Sequence, residues 1–188
     1  MLSWEELFAI QFTGQGPWTL ENLTLEHVGN ARANVVVVDS GEILLRNCRF
    51  TGATFQEKAP SPRGGRGLWF TGAARGQVIN CVCDRNGLHG IEISNKAQML
   101  LEGNTCEDNK YSDIADFQNA GGTVRNNTCR NNGGYGIFIR KTARPVLGIK
   151  TCLEITWATW SASNARFAPI PGAKLWLYIR ACSTRINE

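Results

Sequence analysis

Three acids, Glu92, Asp113 and Asp116, stand on the files of one strand column, the two aspartates as departures from a regular pattern, and carboxylates acting in pairs are the usual equipment for acid–base work on sugars. Asp116 stands where Phe70, Ile93 and Ile139 recur at 23-residue multiples, so its side chain is expected to point inward. A carboxylate there is costly unless it is paired, protonated or at a local opening; a bulge that turns it to water is the alternative reading. Asp113 replaces Gly67, Gly90 and Gly136 in the same coil. Trp69, Glu92, Ala115 and Phe138 form a second file on the opposite face of the strands. Trp69 and Phe138 offer plates for a sugar ring, and Arg75 and Arg140 are the nearby cations for a uronate group. Glu92 with either aspartate gives two chemistries: hydrolysis by two carboxylates across a scissile bond, or proton abstraction by a lyase or C5-epimerase. The second needs the substrate's charge neutralised by arginine or calcium, so Ca2+ is the cofactor only of the lyase branch and none is expected otherwise.

Other chemistry is weaker. Seven cysteines include a file at Cys83, Cys106, Cys129 and Cys152. One thiol per coil in a straight stack does not make the tetrahedron of a structural zinc site, so no metal is expected and core packing is the reading. His27 and His89 have no acid at a telling separation and read as surface or turn residues. No serine elbow, phosphate-cradling glycine loop, HExxH or DPHD is present.

Composition narrows the classes. The 188 residues bear a formal charge of +4 with scattered basic residues, which argues against a nucleic-acid partner. No window reaches the length of an apolar membrane span, and no partner membrane is expected. No leader is visible at Met1 to Glu6, and the many thiols favour a cytoplasmic setting unless the N-terminus is incomplete. The 20 glycines and frequent asparagines call for many sharp turns.

The elements that must position these residues follow from the period. Val78, Leu101, Val124 and Leu147 keep the interval of 23, as do Leu68, Ile91, Ile114 and Ile137, and Ala74, Ala97, Ala120 and Ala143. Asn86, Asn109 and Asn132 recur likewise, as do Asn104 and Asn127. Segments such as GIEI (90–93) and MLLEGNTC (99–106) have no room for a helix, so each coil is two or three short strands joined by tight turns. Stacked coils bury the face that no single coil can bury. Upstream the interval grows to 33 by an exposed loop, QEKAPSPRGGR (56–66), and Asn34 to Val37 is aligned with Gly67 to Phe70.

The recurring form V-x-x-N-x-C-x-x-N-x-x-x-G-I-x-I resembles the repeat of right-handed parallel β-helix proteins, the NosD-like and pectin-lyase-like group. The resemblance implies an all-β, single-stranded right-handed solenoid of about 23 residues per coil, with three sheets and an inward asparagine ladder. Asn104 and Asn127 match the ladder; Cys81 stands there one coil earlier and should shorten it. The scaffold hosts lyases, hydrolases, epimerases and binders, so it does not fix the chemistry.

Residues 1–14 are expected as a cap or irregular first strand, 15–152 as the solenoid, and 153–188 as a C-terminal cap or divergent end. Function reads first as a scaffold binding an extended ligand such as a polysaccharide, since no compact catalytic set is evident. A lyase, glycoside hydrolase or C5-epimerase is the alternative, and a structural or protein-interaction solenoid the third. Oligomeric state is left open.

Overall fold

The computed structural model describes residues 8–59, 63–140, 142–148, 159–160 and 166–167. The chain winds as a parallel β-helix. The first coil holds β1 (Phe8–Phe12), β2 (Trp18–Glu21) and β3 (Thr24–Glu26), and the second β4 (Asn34–Val38), β5 (Glu42–Arg46) and β6 (Arg49–Thr51). The third has β7 (Leu68–Phe70), β8 (Arg75–Ile79) and β9 (Val82–Asp84), and the fourth β10 (Ile91–Ile93), β11 (Gln98–Glu102) and β12 (Thr105–Glu107). The fifth has β13 (Ile114–Phe117), β14 (Gly121–Arg125) and β15 (Thr128–Arg130). β16 (Ile137–Arg140) and β17 (Arg144–Leu147) follow, then the short β18 (Thr159–Trp160) and β19 (Arg166–Phe167).

Each of the first five coils gives one strand to each of three sheets. The first sheet runs β1-β4-β7-β10-β13-β16-β18, the second β2-β5-β8-β11-β14-β17-β19, and the third β3-β6-β9-β12-β15. Cys83, Cys106 and Cys129 are paired in register, as the thiol file requires. Cys48, Cys81, Cys83 and Cys106 are buried free thiols, and Cys129 is disulfide-bonded. No helix among the described residues is long and apolar enough to cross a membrane.

The corners explain the asparagines. Between the second and third sheets the chain turns on two residues, the first left-handed: Asn47, Asn80, Gly103 and Asn126 have φ of 53°, 52°, 67° and 56°. Asparagine and glycine tolerate that region best. The second residue points inward. Asn104 Oδ1 accepts from the Cys81 N–H at 2.9 Å, and its Nδ2 donates to Val78 O at 2.9 Å and to Asn127 Oδ1 at 3.0 Å. At Cys81 the amide file gives way to sulfur, whose Sγ accepts from the Cys48 N–H at 3.4 Å.

A second ladder stands at the corner leading back to the first sheet, where the sequence reading had assigned none. Arg85, Asp108 and Asn131 are left-handed there, and Asn86, Asn109 and Asn132 follow them. Asn86 and Asn109 donate Nδ2 to the Phe50 and Cys83 carbonyls at 3.3 and 3.0 Å, while Asn132 Oδ1 accepts the Asn109 N–H at 2.9 Å. Buried polar backbone at both bends is thereby satisfied by the neighbouring coil.

The register of one pair differs from the sequence alignment, and the two ends of the coil stack add detail to it. Within the segment expected as a cap or irregular first strand, residues 8–12 form a strand paired with β4. Upstream, Val36 faces Leu68 and Val38 faces Phe70, one residue off the expected match. Four consecutive valines carry no in–out alternation to fix a register, and β4 is buried along its whole length. Downstream, Ile139 pairs with Trp160 and Leu147 with Phe167, intervals of 21 and 20 residues, so the coil shortens and the 23-residue phase is lost. The rest of 153–188, including any cap, lies outside the described residues.

Candidate functional site on the outer face of the first sheet

Strands of the first sheet alternate in the expected sense. Leu68, Phe70, Ile91, Ile93, Ile114, Ile137 and Ile139 join the core, which turns Trp69, Glu92, Ala115 and Phe138 outward in register. Glu92 is nevertheless 6% exposed and Ala115 wholly buried, so side chains already roof this face.

The roof over Glu92 comes from the long loop between β6 and β7. Arg66, its next-to-last residue, donates Nε to Glu92 Oε2 and an NH1 hydrogen to the Gly64 carbonyl at 3.2 Å. Its guanidinium carbon lies 4.7 Å from the centre of the Trp69 ring, an attractive cation–π placement. Trp69 Nε1 donates to Ser94 Oγ at 2.9 Å. Burial pushes the Glu92 carboxyl up from its ordinary value, and Arg66 opposes that by favouring the carboxylate.

His89 completes the polar half. Its Nε2 is 4.0 Å from Glu92 Oε2, and its Nδ1 is 3.3 Å from both the Ser112 N–H and the Ser112 carbonyl oxygen. Burial, and then the Arg66 charge, hold His89 down at about 3. It is a buried neutral imidazole with an acid beside it, which corrects its reading as a surface histidine without an acidic partner. The separation of three residues between His89 and Glu92 was visible in the sequence and was passed over.

The other half is aromatic. His89 and Phe117 rings are 5.9 Å apart, Phe117 and Phe138 5.6 Å, and Phe138 stacks on Tyr135 at 5.2 Å. Tyr111, half-exposed, approaches His89 at 6.3 Å and Phe55 of the loop at 6.1 Å. Arg66, His89, Ser112 and Tyr135 are themselves a 23-residue file, as are Ser94, Phe117 and Arg140. Reading those flanking files would have found the site; attention to the central one alone missed them.

The remaining predicted residues distribute as follows. Asp113 and Asp116 do not join Glu92. Asp116 faces inward between Ile93 and Ile139, 1% exposed, and neither carboxyl oxygen has a hydrogen-bond partner among the described residues. Burial alone pushes it up to about 7. Asp113, fully buried, accepts from Asn109 Nδ2 at 2.8 Å and from Asn132 Nδ2, so it is a side branch of the second ladder. Burial raises it to about 9 against those two donors. The three acids therefore do not form a carboxylate pair across one outer site. Trp69 is not a bare plate, because Arg66 lies over it. Arg140 ends β16, exposed, on the correct sheet; Arg75 opens β8 in the second sheet, in register with Glu42 and Gln98. Among the described residues, no group of three or more His, Cys, Asp or Glu side chains converges as a metal site.

Comparison with protein families matches residues 8–153 to the one described as "Right handed beta helix region". The chain belongs to this right-handed β-helix family. The match spans the coils from β1 through β17, and it gives the winding sense that parallel crossovers prefer. Neither the curated proteins nor the solved structures contain a match to this β-helix.

Proposed function

We propose that this β-helix is a non-catalytic scaffold that binds an extended carbohydrate along the outer face of its first sheet. The observation that carries the reading is the aromatic run of Phe117, Phe138 and Tyr135 beside the polar group of Arg66, His89 and Glu92. Ring faces suit the C–H faces of pyranoses, and the Arg66, Glu92 and His89 group borders them with a polar edge whose geometry is fixed by its own contacts. The polar and aromatic groups follow one another along successive coils of one sheet, which suits a chain-like ligand better than a compact one. Against hydrolysis by a carboxylate pair stands the inward placement of Asp113 and Asp116, across the strand from Glu92.

The test is retention on immobilised polysaccharides, followed by Phe138→Ala. Truncating a central aromatic anchor is expected to weaken retention by about thirtyfold, near 2 kcal/mol. Absence of retention on every polysaccharide, or an unchanged affinity in the variant, overturns the reading.

A further inference from the structure

We propose, resting on that carbohydrate reading, that this face selects uncharged sugar chains over polyuronates because its inner cation is already neutralised. Arg66 is the cation lodged within the face, its side chain 15% exposed against 8% for Glu92. Its Nε is engaged by Glu92 and one NH1 hydrogen by the Gly64 carbonyl, its flat face lies over Trp69, and its charge is balanced by the Glu92 carboxylate.

A uronate carboxylate or a sulfate meets a guanidinium whose charge Glu92 already balances, and can have that charge to itself only by displacing Glu92. Winning it strands Glu92 as a buried charge without its partner, and removing one member of a buried pair is strongly unfavourable. Leaving the pair intact brings the ligand's anion beside the Glu92 carboxylate instead. A neutral ring meets neither cost. It lies on Phe138 and Tyr135 while the pair presents no net charge to it. Arg140 remains at the exposed end of β16, where a charge affects encounter rate and salt dependence more than affinity. The same pair that roofs the site thus sets its charge preference.

The experiment compares affinity electrophoresis of the whole chain in neutral polymers (β-1,4-glucan, xylan, galactomannan) and in polygalacturonate or alginate. It is repeated with Glu92→Gln, whose fold is checked by circular dichroism and a melting curve. The wild type is expected to be retarded by at least one neutral polymer and about tenfold less by the uronates. Glu92→Gln releases Arg66 and is expected to raise uronate affinity by about tenfold or more. Should that variant fail to fold, the wild type at low salt decides the matter: uronates are expected to stay about tenfold weaker than the neutral polymer at roughly 0.05 M NaCl, where attraction to a free Arg66 would be least screened, and equal retention there overturns the selectivity. Uronates that bind the wild type as tightly as neutral chains overturn the selectivity alone, as does a folded Glu92→Gln without gain. No retardation by any polymer overturns the carbohydrate reading beneath it.

Discussion

The Arg66 guanidinium sits 4.7 Å above the Trp69 ring while its Nε bonds Glu92 one coil further on. A residue at the end of the insertion thereby ties the long loop to two successive strands of the first sheet. Arg66→Ala should leave Glu92 buried without its cation and cost about 3 kcal/mol in urea unfolding. In a double-mutant cycle with Glu92→Gln, the second change should return more than about 1 kcal/mol of that loss. Additive losses would show that the two side chains do not act together.

Asp116 and Asp113 make stability depend on pH with a defined sign. Burial holds them up at about 7 and about 9, above the value near 3.9 of an unfolded aspartate. The folded chain keeps protons that the unfolded chain has released, so each group lowers stability as pH rises from about 4 to its folded value. The slope is at most about 1.4 kcal/mol per pH unit for each group. His89, held down at about 3, acts oppositely and lowers stability as pH falls from about 6.5. Asp116→Ile, matching Ile93 and Ile139, should raise stability at pH 8 by about 2 kcal/mol or more and remove its share of the decline between about 4 and 7. Melting temperatures across buffers from acid to alkaline would check this; an unchanged profile would mean that Asp116 reaches solvent.

The ladder can be shortened or lengthened by one rung. Asn104→Ala leaves the Cys81 N–H and the Val78 carbonyl without their partner and should cost about 3 kcal/mol. Cys81→Asn replaces the 3.4 Å sulfur contact with an amide facing the Cys48 N–H and should gain about 1 kcal/mol. Chemical denaturation of both variants gives the comparison; a destabilised Cys81→Asn would show that this coil has no room for the amide.

Two glycines separate strain from collision. Gly76 has φ +143°, and a Cβ there would lie 1.9 Å from the Ile43 carbonyl oxygen. Gly29 has φ +125° with nothing within 4 Å. Gly29→Ala should cost about 1 kcal/mol from backbone strain, and Gly76→Ala at least about 3 kcal/mol. Equal melting temperatures for the two variants would contradict this distinction.

The fold was legible because stacking copies each inward position into the next coil at a constant interval. Cys83, Cys106 and Cys129, or Leu68, Ile91 and Ile114, announce their adjacency by number alone. What the pattern could not convey was register where side chains do not alternate, as at Val35 to Val38, or phase where the coil shortens, as before Trp160. The site was half legible. Glu92 and Phe138 follow from alternation, but Arg66 ends an insertion and His89 lies just outside a strand. Both stand in one 23-residue file just ahead of the strands, a file that alternation within the strands does not reach. Asp113 and Asp116 were noticed for being unusual, and their oddity proved to belong to the interior.

Each ladder asparagine serves a backbone that lies mainly in another coil, so a coil's internal order is lent by its neighbour. Unwinding should therefore proceed rung by rung from whichever end has lost its lender, like a zipper. Amide hydrogen exchange would then be slowest around Asn104 and Asn109 and faster towards either end, a gradient set by position along the rod rather than by local sequence.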